Sequence, residues 1–170
     1  LSDLFADDAA WEAAFQGVDE ACLALAAHQG HLGDSAAALL AGLNALESLQ
    51  LQLMRVASFA HLRNSQDGTD PRHQAAVARV SALRARVGAS TAFVDDEILA
   101  LPVDLLAGFR AAEPGLADFQ GLLDDLLALR PHRLGAETER VLAALGDLQG
   151  APYMIYSRSK SSDMQFAPFT

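Results

Sequence analysis

Residues 34–56 read DSAAALLAGLNALESLQLQLMRV. Leu39, Leu43, Leu46, Leu49, Leu53 and Val56 recur at spacings of four, three, three, four and three, which returns each to one side of a 3.6-residue helix. Asp34 or Ser35 stands before the run, where a side-chain oxygen can accept hydrogen bonds from the free amides of a first helical turn. The pattern continues to about Leu62 and predicts one long helix.

The same grammar extends in both directions. Upstream, Asp7 or Asp8 can cap a helix whose apolar face is Trp11, Phe15, Val18, Cys22 and Leu25, and Gly30 and Gly33 close it. Downstream, NSQDGTD at 64–70 is a turn by composition, and Asp70 followed by Pro71 marks a new helix start, because proline suits the first helical position. Val77, Val80, Leu83 and Val87 give that helix its face. It either runs on through Phe93 to Leu99 or breaks near Gly88. Pro102 and Pro114 punctuate the next segment, and Leu116, Phe119, Leu123 and Leu126 mark a helix ending at Pro131. A further helix is expected over 136–148, and Pro152 can start a short one over YMIYSRSKSS. In the tail DMQFAPFT, Met164 and Phe166 alternate with Gln165 and Ala167, the two-residue period of a strand that has no partner in a helical chain.

The expected fold is therefore all-α: an array of antiparallel helices beginning with a long helical hairpin, with a short strand-like tail at 162–170. At 170 residues the chain is one domain, long enough to bury its own core. Hydrophobic residues make up 51%, too many for a disordered chain.

The net charge of −10 argues against a nucleic-acid partner, which requires Lys and Arg against its phosphates, and against an anionic membrane surface. No run of residues is long and apolar enough to span a bilayer. The lone Cys22, among Ala21, Leu23 and Leu25, reads as a small buried apolar residue, and the cytoplasm is the expected compartment. The chain begins at Leu1 rather than Met with no basic-then-apolar leader, read as an engineered or proteolytic boundary.

Chemistry-bearing patterns are sparse. Each of His28, His31, His61, His73 and His132 is followed by Gln, Leu or Arg, so the H-E-x-x-H that sets two zinc ligands and a carboxylate on one helical face is absent. His28 and His31 flank Gln29-Gly30 and read as a polar loop; His61 and His73 read as solvated helix or cap residues. GASTA at 88–92 lacks the second glycine of a nucleophile elbow and reads as small residues where helices approach. Asp95-Asp96-Glu97 and Asp124-Asp125 are adjacent helical residues, which diverge, and read as solvated faces. No catalytic or metal-binding residue is expected in this chain.

The stretch ALRPHRLGAETERVLAAL, residues 128–145, is expected to be a joint between two helices. Pro131 cannot continue a helix and biases Arg130 away from helical geometry. Arg130 and His132 lie near a helix C-terminus, where free carbonyls favour cations; Gly135 can cap the next helix, with Glu137 and Glu139 near its free amides.

This stretch resembles the N-terminal region of oligoendopeptidase F, in the thimet-oligopeptidase-like family of zinc metallopeptidases. RPHRLGAETE keeps Arg130, His132, Leu134 and Glu139 of the family's Arg-x-His-x-Leu and Glu-bearing helix, and departs at Gly135, where the family often has Ser. LSDLFADDAAWEAAF, HLGDSAAALLAGL, AFVDDEILAL and YSRSKSSDMQFAPF are similar to further family segments in the same order. The resemblance implies that residues 1–170 are the single helical, non-catalytic N-terminal domain of a longer peptidase, forming part of the wall of a channel that admits short peptides. It implies that 162–170 begin the passage into a catalytic domain, and that zinc belongs to the parent enzyme and not to this chain. Oligopeptides would be the parent's substrates, and the chain's partner its own catalytic domain. The alternative is a free-standing helical protein-interaction module without enzymatic activity. A domain severed from its parent is expected to leave 162–170 either disordered or paired with another copy. The surface meant for the catalytic region is expected to stay apolar and able to drive self-association.

Overall fold

A computed structural model describes residues 1–132, 138, 141–142, 145–160 and 164. Three helices form its centre: α1 (Asp8–Ala26), α2 (Ala36–Gln66) and α3 (Pro71–Ala100). The Asp7 side chain accepts from the Ala10 amide, that of Ser35 from Ala38, and that of Asp70 from Arg72, so each helix starts where a short polar side chain replaces a missing backbone acceptor. Pro71 occupies the first turn of α3. The expected turn at 64–70 is shorter than its composition suggested: α2 runs through Gln66 and only 67–70 reverse the chain. α3 crosses Gly88 unbroken, since an isolated glycine weakens a helix by only about 1 kcal/mol and packing outweighs it.

Side-chain pairings give the register. α1 and α3 are parallel and hold a nearly constant offset: Glu12 pairs with Arg79, Asp19 with Arg86 and Cys22 with Ser90, separated by 67, 67 and 68 residues. The two ion pairs repeat after seven residues on each helix, the step that keeps a seam in contact along two helices. α2 runs antiparallel to both. The Trp11 indole N–H donates to the Val56 carbonyl at 3.0 Å, and Phe5 meets Phe59 edge-on.

The core lies between these helices. Trp11, Phe15, Val18 and Leu25 supply it from α1; Leu39, Leu43, Leu46, Leu49 and Val56 from α2; Val80, Leu83, Val87, Val94 and Ile98 from α3. Cys22 and Leu53 are half-buried against it. Beyond Pro102 the chain folds back over one end of the bundle as α4 (Val103–Ala112), a 3₁₀ helix (Pro114–Phe119), α5 (Gln120–Leu129) and one 3₁₀ turn (Arg130–His132). This part adds Leu106, Leu116, Leu123 and Leu126 to the same core. The described residues are helical throughout their regular elements, as the all-α reading requires.

α6 (Gly146–Arg158) departs from expectation. Pro152 lies inside this helix and does not open a new one. Its ring removes one backbone donor, and the helix continues past it. The strand expected at 162–170 falls outside the described residues apart from Met164, which is exposed.

The α1–α2 loop carries the tightest fit. Gly30 has φ +82°, a left-handed conformation open to glycine without a Cβ clash. Leu32 lies just beyond and is fully buried over Gly42 of α2, where an added Cβ would collide with a Leu32 methyl. Overpacking of about 1–3 kcal/mol is offset by the roughly 1 kcal/mol that alanine gains over glycine inside a helix, so Gly42→Ala should lower unfolding stability by no more than about 2 kcal/mol. The urea midpoint measures this, and a midpoint above the wild-type one would mean that Leu32 is free to move aside.

Candidate functional site

At the C-terminal end of α3, the helix stops at Ala100 because Leu101 turns extended (ψ 140°) ahead of Pro102. Carbonyls of its last turn are then left without helical donors. The Arg130 guanidinium fills that gap: one nitrogen donates to the Leu99 carbonyl and, at 2.9 Å, to the Leu101 carbonyl. One turn earlier, the Glu97 carboxylate accepts from the Gly30 amide at 2.5 Å and from the Leu32 amide at 3.3 Å. The acid of AFVDDEILAL and the base of ALRPHRLG thus meet at one helix end: the acid binds the α1–α2 loop, and the base, on the turn that follows α5, binds the carbonyls of that end.

Arg130 serves the free carbonyls of α3, not those of its own helix. Pro131 does not bend it out of helical geometry either: Arg130 has φ −49° and ψ −47°, because the 3₁₀ turn accommodates the proline. His132 is exposed on that turn. Leu134, Gly135, Glu137 and Glu139 lie outside the described residues.

The remaining sequence candidates stay apart. His28 is half-buried, and the His31 ring nitrogen meets the Asp34 carboxylate at 2.8 Å on the surface. Among the described residues no group of three His, Cys, Asp or Glu side chains is placed to hold a metal ion, and the sequence lacks the two-histidine motif, so these residues do not fit a zinc site. Ser90 of GASTA donates to the Val87 carbonyl and touches Cys22 across the α1–α3 seam, while Gly88 faces open space and is not at a close approach. Asp95 and Asp96 are exposed, but Glu97 is half-buried and bound to the loop, which corrects its reading as part of a solvated face. Asp124 pairs with Arg110 at 2.8 Å, and the hydrogen bond from that guanidinium pulls its carboxyl below the usual range. Burial, and secondarily the Arg84 charge, lowers the His61 pKa.

One constellation escaped sequence reading. At the opposite end of the bundle, Arg63, Arg72, His73 and Arg79 converge around Trp11 and Phe59 on a pocket of about 330 Å³. His73 is not a solvated cap: its side chain is 14% exposed, its Nδ1–H donates to the Asp67 carbonyl at 3.0 Å, and its Nε2 accepts from Arg63 Nε–H at 3.2 Å. That pair of bonds assigns the neutral Nδ1–H tautomer. The signal was in the sequence, as four cationic or ionisable side chains flank one turn of an acidic chain.

A third feature is the exposure of α6. No residue beyond Leu127 contributes to the core or packs on it among the described residues. On α6, Leu148, Tyr153, Met154, Ile155 and Tyr156 are each 59–71% exposed. A lone apolar side chain in water is ordinary, whereas five on one helix of 13 residues are an exposed apolar element.

Fold and surface together define an all-helical unit in which α6 exposes apolar side chains among the described residues. The family model described as Oligopeptidase F matches residues 97–166. Oligopeptidase PepF of Bacillus subtilis is 28% identical over 166 residues, covering 98% of this chain and 25% of that protein. Group B oligopeptidase PepB of Streptococcus agalactiae is also 28% identical, over 98% of this chain and 28% of that protein. The crystal structure of oligoendopeptidase-F from Enterococcus faecium superposes with a TM-score of 0.80 at 25% identity, covering 96% of this chain and 32% of that one. The chain matches the N-terminal region of oligoendopeptidase F in sequence and in fold. It spans about a quarter of the length of these curated relatives.

Arg130→Ala should cost about 1–3 kcal/mol by leaving two carbonyls of α3 unpaired, with Arg130→Lys in between because an ammonium lacks the planar fork. Denaturant titration reads the order, and equal stability of all three would remove Arg130 from the fold's supports. A pH effect belongs to the other end. Hydrogen bonds from Arg72 lower the Asp70 carboxyl from 3.8 to about 2. A depressed carboxyl gives stability that is complete above its unfolded value and lost as pH falls through its folded value. The stability gap between wild type and Asp70→Asn should thus close between pH 3.8 and about 2, and a gap unchanged across that window would contradict the pairing.

Proposed function

We propose that this chain is the non-catalytic N-terminal domain of an oligoendopeptidase F-like zinc metallopeptidase, and that its helices form part of the wall of the channel admitting short peptides. The observation that carries the proposal is the match of 98% of this chain to a quarter of a named oligopeptidase. The exposed apolar side chains of α6 support it, since such area gains stability when covered, about 25 cal/mol per Å². In this reading the cover is the parent's own catalytic region.

Zinc belongs to that region, where it would supply a polarised carbonyl and an activated water. The described residues of this chain do not fit it, and no step of peptide hydrolysis is assigned to them. Their part is steric: a wall of packed helices excludes folded chains, and the joint of Glu97 and Arg130 keeps the wall rigid. The parent is read as a cytoplasmic enzyme acting on oligopeptides. Among the described residues no helix is long and apolar enough to cross a membrane. Without its partner α6 is free to associate with a second copy.

The test separates the domain from the rest of the parent. This chain alone should hydrolyse no oligopeptide, and the separately produced remainder should bind it. Ile155→Glu and Tyr153→Glu should each weaken that binding roughly tenfold or more, by burying a charge at the interface. Chelator-sensitive hydrolysis by this chain alone would overturn the reading. Failure of the remainder to bind it would favour a free-standing interaction module.

A further inference from the structure

The pocket between the N-terminal half of α1, the end of α2 and the start of α3 has a division of labour among its cations. Arg79 is already committed: its two terminal nitrogens meet the Glu12 carboxylate at 2.8 and 2.7 Å, and its guanidinium lies 5.3 Å from the Trp11 ring centroid and 4.4 Å from that of Phe15. It is a wall. Arg72 is held by Asp70 at 2.7 Å, yet its side chain is 82% exposed at the rim. Arg63 is the unusual one. Its Nε–H goes to His73, its plane lies against Phe59 at 5.6 Å, and its terminal nitrogen reaches only to 3.5 Å from Asp8, whose side chain is 73% exposed.

Arg63 is therefore a half-buried guanidinium, oriented by a histidine and a phenyl ring; among the described residues its outer N–H groups have only one long contact, to an exposed carboxylate. Guanidinium groups presented this way suit a planar carboxylate, which takes two parallel hydrogen bonds. Beside it lies an apolar floor of Trp11, Phe59, Ala60 and Ala76. The volume of about 330 Å³ is at the lower end of small-molecule sites and holds a single large side chain with its terminal group. Three arginines on one pocket are also disproportionate in a chain with 12 Lys and Arg against 22 Asp and Glu.

We propose that this pocket binds a carboxylate carried on an apolar or aromatic body, with the ligand body against Trp11 and Phe59 and its carboxylate on Arg63 and Arg72 in place of Asp8. Such a group occurs as a free hydrophobic acid and as the last residue of a peptide. The proposal does not depend on the peptidase reading, because it rests on the described side chains of this chain alone.

Trp11 is the single tryptophan, so its fluorescence reports the pocket directly. The experiment titrates the 170-residue chain with N-acetyl-phenylalanine and N-acetyl-phenylalaninamide, and with an oligopeptide ending in Phe as the free acid and as the amide. Both acids should change Trp11 emission saturably, and both amides should bind roughly tenfold more weakly or not at all. A peptide acid tighter than N-acetyl-phenylalanine assigns the site to peptide ends; equal affinities assign it to small acids. Arg63→Gln should remove most of the binding. Arg72→Gln, at a position exposed enough to leave the fold intact, should weaken it severalfold, and Arg86→Gln, outside the pocket, should leave it unchanged. Urea midpoints of the variants separate lost binding from lost fold. Equal binding of acid and amide, no saturable change, or full binding by a folded Arg72→Gln would overturn the proposal.

Discussion

The Glu97 carboxylate is the constraint on which the rest of the fold depends. Three long helices packed by leucine and valine could slide or rotate, since apolar contact has no direction. The Glu12 and Asp19 pairs supply direction along the α1–α3 seam, and Glu97 supplies it at the helix end. It accepts two amides from the α1–α2 loop, and those bonds set Leu32 over the notch at Gly42. A charge-assisted bond at a partly buried place is worth more than a neutral one, and leaving its donors unpaired costs more still. Arg130 then uses the carbonyls just beyond Glu97 to fasten the second half of the chain to the same helix end. Loop, hairpin and overlying helices meet within one turn of α3.

The two ends of the bundle obey different physics. At the Glu97 end, polar side chains are consumed by backbone groups, which makes a rigid joint. At the Arg63 end, charged side chains are paired mostly with each other over aromatic rings, with the outer groups left facing a pocket. Hydrogen bonds to backbone fix a fold; ion pairs on a rim can be exchanged for a ligand's.

Much of this was legible in the residues. Helix starts at Asp7, Ser35 and Asp70 come from local chemistry, and the buried faces come from spacing, so both could be read without tertiary knowledge. What escaped depends on distance in sequence. Glu97 looked solvated because its donors are 65 and 67 residues away. Local sequence matches Arg130 to the nearest helix end, whereas it serves one about 30 residues earlier. His73 looked like a cap because nothing local shows that Arg63 arrives on its ring from across the turn. Pro152 has the local signature of a helix start, yet exposed helices tolerate a lost donor where water can compensate the freed carbonyl.

The fixed offset between α1 and α3 limits how this architecture can change length. α2 travels the length of the bundle and α3 returns, so any residue added to one arm displaces every pairing with α1 and turns the arm by about 100°. The pairs at Glu12 and Asp19 return to register only when both arms grow together, in matched steps of about two turns each. Viable insertions and deletions are therefore quantised within the hairpin and free only in its loops.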